Sequence, residues 1–175
     1  MYKVYLSPST QEKSFGVGDF GTEEFRMNQI ADEVEKVLLE KGDYAVFRNV
    51  SDMTREEIIQ DSNEINANIH IAIHSNYGKI NGPVCYIKVG DETSNGFGKE
   101  IYKEIMSFYI DKSVDNGLIY DENIIEINKV KSPAVLVMLG NHENETDSKW
   151  IVENIKSLGK AISKGIEKGF NLKVC

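Results

Sequence analysis

Two acidic residues opening a helix, a histidine closing a strand and a histidine in a later loop are the side chains here with the type and placement to do chemistry. The stretch Asn68 to Gly78 reads NIHIAIHSNYG, in which Ile69, Ile71 and Ile73 alternate with His70, Ala72 and His74. That period of two predicts a strand with an imidazole at its tip. A histidine so placed is either a hydrogen-bonded structural residue or part of a site. Thr22-Glu23-Glu24 opens a helix, where the dipole favours acidic residues, and this accounts for Glu23. Glu24 reads differently, because positions 24, 27, 31, 34 and 38 share the face of the apolar stripe. A carboxylate heading a core-facing stripe needs a partner, since burial otherwise raises its pKa and discharges it. A cation is one such partner, and His74 adds a neutral nitrogen; a carboxylate with imidazoles suits zinc.

The elements that must position these residues alternate along the chain. Strands are predicted at Tyr2–Ser7, Tyr44–Arg48, Ile69–His74, Val84–Val89, Ile124–Ile127 and Ala134–Leu139. Helices are predicted from Glu23 to Lys41, from the Thr54-Arg55-Glu56-Glu57 capping box to Ile65, around Phe97–Phe108, and as one long final helix striped by Ile151, Ile155, Leu158, Ile162 and Ile166. This pattern predicts an α/β fold with a mostly parallel six-stranded sheet flanked by helices. Ligands of such sheets bind at the carboxyl ends of the strands. His74, the segment Ser7–Glu12, the helix start at Glu23–Glu24 and the loop carrying His142, Glu143 and Glu145 all fall on that edge.

Bulk composition narrows the function. The 175 residues predict one domain, 1–175, and a net charge of -8 without a basic patch argues against a nucleic-acid partner. No apolar run reaches the length that spans a bilayer, so no membrane is expected as a partner. Cys85 and Cys175 lack CxxC spacing; Cys85 reads as a core thiol and Cys175 as incidental. Gly16-Val17-Gly18-Asp19-Phe20-Gly21 formally matches GxGxxG, but Pro8 to Ser14 separate it from the strand, and Asp19, Glu23 and Glu24 would repel a pyrophosphate. It reads as a loop.

Three stretches, SPSTQEKSFGVGDFGTEEFRMNQIADEVEKVL, HIAIHSN and SPAVLVMLGNHENETDSKWIVENI, resemble the zinc-dependent N-acetylmuramoyl-L-alanine amidases of peptidoglycan, the amidase type 3 class. They are most similar to the branch found in clostridial and phage lysins, in order and over nearly the whole chain. The resemblance implies an amidase-like fold and a peptidoglycan partner. The reaction it implies is hydrolysis of the amide between N-acetylmuramic acid and L-alanine. It also implies zinc as cofactor, with Glu24 matching the Glu-x-x-x-Asn ligand motif that ends at Asn28 and His74 matching the second histidine ligand.

Two departures stand out. The family opens with Asp-Pro-Gly-His, whose histidine is a ligand, whereas this chain has Ser7-Pro8-Ser9-Thr10-Gln11. The family's catalytic glutamate follows Pro-Ala-Val-Leu-Val, and here Met138 stands there. Methionine can neither take a proton from water nor protonate a leaving amine. His142 is the candidate to complete a Glu24–His74–His142 metal set, or to act as acid or base. Glu143 and Glu145 are the candidate catalytic carboxylates, and Gln11 and Asn76 the candidate substrate hydrogen-bonders. His70 reads as structural. The chain is expected to be either an amidase with an altered catalytic site or a catalytically degenerate peptidoglycan-binding or regulatory module. No secretory signal is read at Met1, so it is expected to stay cytoplasmic until released to act at the wall.

Overall fold

The computed structural model describes residues 1–172; Cys175 lies outside them. Six strands form one sheet: β1 (Tyr2–Pro8), β2 (Tyr44–Arg48), β3 (Ile69–Asn76), β4 (Val84–Ile87), β5 (Leu118–Tyr120) and β6 (Ala134–Asn141), in the order β2-β1-β3-β6-β4-β5. All neighbours run parallel except β4 and β6, which are antiparallel. Helices α1 (Glu23–Lys41), α2 (Arg55–Ile65), α3 (Glu92–Met106), α4 (Ile125–Lys129), α5 (Glu145–Glu153) and α6 (Ile155–Leu172) flank it.

Alternation along the central strands decides what each face of the sheet carries. Ile69, Ile71 and Ile73 of β3, with Val135, Val137 and Leu139 of β6, join the large core built with α1, α3 and α6. Their neighbours Ala72, Ala134 and Leu136 face the other way, into a smaller cluster with Ile59 of α2 and Ile127 of α4. His70, His74 and Met138 share that second face by the same period of two. On the first face α6 approaches its neighbours closely because it is glycine-rich. A Cβ on Gly165 would lie 2.5 Å from the Cα of Ile101 in α3.

Two predicted elements differ. Ile124–Ile127, expected as a strand, lies instead at the cap and first turns of the short helix α4, and the sixth strand is Leu118–Tyr120. A short apolar run does not distinguish a buried strand from a buried helix turn. The expected long final helix is two helices, parted at Asn154, whose side-chain amide donates to Trp150 O at 2.8 Å and which caps α5.

Candidate active site

At the carboxyl ends of β1, β3 and β6 a cleft of about 850 Å³ opens, lined by Gln11, Ser14, Glu23, His74, Met138 and His142 among others. Its position follows from the sheet, since parallel strands end together and their loops diverge. Gln11, His74, His142 and Glu143 thus line one cleft together with Met138.

Glu23, not Glu24, is the carboxylate that reaches His74. Thr22 is the N-cap of α1, accepting from Phe25 N at 3.2 Å, so Glu23 is the first helical residue. Helical side chains lean toward the amino terminus, and Glu23 shares Met27's face, so its carboxylate extends past the helix end to the strand tips. There Oε1 lies 2.9 Å from His74 Nδ1 and accepts from Ser75 N at 3.2 Å. Glu24 stays outside the cleft; its backbone carbonyl accepts from Asn28 Nδ2. Glu23 is 3 % exposed and the His74 ring a fifth exposed. Burial pushes the Glu23 carboxyl up, but His74, Ser75 N and Ser9 more than offset it and hold it below its usual range. Burial likewise presses His74 down, and Glu23 outweighs it, so the ring's pKa is raised. The two are therefore a partly buried imidazole–carboxylate pair in which each group favours the charged form of the other.

His142 is buried, 2 % exposed, and both its ring nitrogens are engaged. Nδ1 lies 2.8 Å from Ser75 Oγ and Nε2 3.1 Å from Ser14 Oγ, while the ring stacks on Phe20 at 5.4 Å. Its backbone accepts from Val17 N and donates to Asn76 O, both at 2.9 Å. Burial lowers its pKa, so the ring is neutral. A serine hydroxyl on an imidazole nitrogen is half of a nucleophile–base pair. However, the amides of Gly16 and Val17 that follow Ser14 are taken by Gly21 O and His142 O. The arrangement thus reads as a clamp that fastens the 10–22 loop over β3.

Behind the cleft lies a second imidazole–carboxylate pair that the sequence reading missed in part. His70, read as structural, is fully buried, with Nδ1 3.0 Å from Ser62 Oγ and Nε2 2.9 Å from Glu126 Oε1. Glu126 sits on α4, the segment expected to be a strand, and faces the cleft. Burial pushes its carboxyl up, but His70, the charge of His74 and Ser7 hold it at about 2. An acidic residue among the isoleucines of IIEIN was the available signal.

The remaining expected residues divide. Glu143 lines the cleft and accepts from Gly78 N at 2.9 Å. Glu145 opens α5 and borders a separate groove with Val17 and Asp19. Asn76 points away into its own loop, donating to Ile80 O and accepting from Tyr77 N, because the β3–β6 register shifts between His74 and Asn76. Arg55, noted in the sequence only within a capping box, lines the cleft beside Glu126 and His74.

The fold is that of solved N-acetylmuramoyl-L-alanine amidases. An N-acetylmuramoyl-L-alanine amidase from Clostridium difficile 630 superposes with a TM-score of 0.87 at 17% identity, over 98% of both chains. The catalytic domain of CwlV, an amidase from Bacillus (Paenibacillus) polymyxa var. colistinus, gives 0.85 at 19%, over 98% of this chain and 99% of that one. The CwlD amidase from Clostridioides difficile, solved in complex with the GerS lipoprotein, gives 0.83 at 19%, over 98% and 100%. At such identities the likeness is one of fold. The sequence matches the N-acetylmuramoyl-L-alanine amidase family over residues 4–168, and the chain belongs to that family. Among curated protein sequences no relative matches significantly.

The donor set does not fit the zinc that the resemblance implies. Catalytic zinc takes three protein ligands. Here Glu23 and His74 converge, position 10 is threonine, and His142 spends both nitrogens on serine hydroxyls. Among the described residues no three His, Cys, Asp or Glu side chains are grouped to hold a metal.

Proposed function

We propose that this domain binds the muramoyl–peptide junction of peptidoglycan in the cleft above β3 and β6 and hydrolyses the amide weakly or not at all. The observation that carries this reading is Met138, paired across the sheet with His74 and lining the cleft where the resemblance implies a proton-shuttling glutamate. The other carboxylates of the cleft are committed. Glu23 is bound to His74, Glu126 to His70 and Glu143 to Gly78 N. The quoted SPST and GNHEN stretches support placing the chain with the clostridial and phage lysin branch, whose members would meet the wall after lysis. Zinc has no part in this reading.

The test pairs two assays on purified peptidoglycan: co-sedimentation of the protein, and release of free amino groups with and without added zinc. Retention with amino-group release at background supports the reading. Robust release overturns it.

A second reading has one observation in its favour. The neutral ring of His142 is the form a metal ligand needs, and release from Ser14 or Ser75 would let it join Glu23 and His74. Zinc analysis of protein prepared without chelator, with His142→Ala alongside, separates the two. Metal held by the native protein and lost in the variant supports this second reading.

A further inference from the structure

The cleft holds charge that the chain itself does not neutralise. Its three carboxylates, Glu23, Glu126 and Glu143, each accept hydrogen bonds from protein donors. Its two permanent cations, Lys13 and Arg55, make no side-chain hydrogen bond or ion pair among the described residues. Arg55 is the better placed. It borders both the main cleft and the recess formed by Ser7 to Gln11, and it shares both with His74 and Glu126. Its charge is felt at His74, where it opposes in small part the rise that Glu23 imposes on that ring. Local structure gives no reason for a cation there. Arg55 is the first residue of α2, where the helix dipole disfavours positive charge. The nearby Glu57 is already turned back onto Thr54 N and Oγ1, at 2.7 and 2.8 Å, in the capping box.

A planar guanidinium facing a cleft is suited to a carboxylate, which it grips through two parallel N–H donors. In a peptidoglycan stem the residue after L-alanine is a glutamate linked through its side-chain carboxyl. Its α-carboxyl is left free in some walls and amidated in others. We propose that Arg55 is a specificity-determining residue that reads this group, so that the cleft selects stem peptides with a free α-carboxylate over the amidated form. This rests on the muramoyl-peptide reading above and names the stem chemistry that the cleft takes. Lys13 adds attraction without the fork.

The experiment is a calorimetric titration of two soluble probes with the glutamate side-chain carboxyl amide-linked as in the stem, N-acetylmuramoyl-L-alanyl-γ-D-glutamyl-L-lysine and the same compound with its glutamate α-carboxyl amidated. The proteins are wild type, Arg55→Gln, Arg55→Lys and Lys13→Gln, each checked for an unchanged melting temperature. The native protein is expected to prefer the free acid by about three- to tenfold, the scale of one charge-assisted pair to an exposed guanidinium. Arg55→Gln abolishes the preference, Arg55→Lys keeps part of it, and Lys13→Gln keeps most of it. Equal affinity of the native protein for both probes overturns the inference while leaving the muramoyl-peptide reading intact. So does a preference that survives Arg55→Gln or is lost only in Lys13→Gln. Binding of neither probe overturns both.

Discussion

Met138 lies directly across from His74 in the pairing of β6 with β3, on the sheet face that looks into the cleft. The position next to His74 is therefore filled by a thioether. A thioether packs against apolar neighbours and transfers no proton, and Met138 packs against the Ala72 and Leu136 cluster. The resemblance also sets Thr10 where the family has its first histidine. Two departures implied by the resemblance set the expectation for repair.

Met138→Glu alone is expected to leave amide hydrolysis within about threefold of the native level, because the base returns without the missing donor. Met138→Glu combined with Thr10→His is expected to raise it at least about tenfold, a cautious fraction of the 10²–10⁴ that general acid–base catalysis supplies. Amino-group release from peptidoglycan, beside zinc content, checks both. A tenfold gain from Met138→Glu alone would show that the donors present already suffice.

Acid stability should report the buried pair behind the cleft. The Glu126 carboxyl sits at about 2 in the fold against an ordinary 4.5, held there by His70 despite its burial. A lowered carboxyl pKa contributes stability that is present above the unfolded value and is lost as pH falls toward the folded one. The shift corresponds to roughly 3 kcal/mol at 1.36 kcal/mol per unit. Glu126→Gln is thus expected to destabilise the protein by a few kcal/mol near neutrality, and the gap should close between about pH 4.5 and 2. Denaturant titrations at a series of pH values measure it; a gap that does not vary with pH would contradict the lowered carboxyl of Glu126.

Above neutrality the sign reverses, and the group is His74. Its pKa is raised above 6.5 by Glu23, so its contribution is complete below 6.5 and lost as pH rises through the folded value. The stability difference between the native protein and Glu23→Gln, measured with chelator present, should therefore shrink as pH climbs from 6.5. His142 titrates with the opposite sense, its pKa being lowered. Taking the difference between the two proteins removes most of that background. Glu24→Gln should show no such trend, since its carboxylate lies outside the cleft. Equal behaviour of the two variants would refute the assignment to Glu23.

What the sequence revealed, and what it did not, follows from the reach of periodicity. The alternation in β3 placed His74 at a strand tip, and the strand-end rule brought Gln11, His142 and Glu143 to it. Periodicity could not separate Glu23 from Glu24, because both lie a helical step from Met27. That choice was made by the lean of first-turn side chains and by Ser9 and Ser75 N, which are distant in sequence. Glu126 and Arg55 escaped for a related reason. One sat in an apolar run that reads equally as strand or helix, the other in a capping motif that explained its neighbours. The loop hydrogen bonds of Asn76 were not legible, because a register shift after His74 is invisible without the partner strand.

His142 supplies the last expectation, since a clamp and a metal ligand respond differently to removal of its serines. As a clamp the ring is held by Ser75 Oγ at 2.8 Å and Ser14 Oγ at 3.1 Å, with Phe20 stacked on it. Each hydroxyl–imidazole bond is then worth about 1 kcal/mol net, and somewhat more where a buried nitrogen is left unpaired. Ser14→Ala and Ser75→Ala should each destabilise the fold by about 1–2 kcal/mol on that scale. Combined with His142→Ala they should be far from additive, because the partner is already gone. The loosened 10–22 loop should also show faster amide exchange at Val17, whose N–H bonds the His142 carbonyl. If His142 instead serves a metal, freeing it from either serine should raise zinc retention and thermal stability in zinc. Denaturant titration of the single and double variants, with zinc and with chelator, distinguishes the two: additive losses together with zinc-dependent stabilisation would remove the clamp.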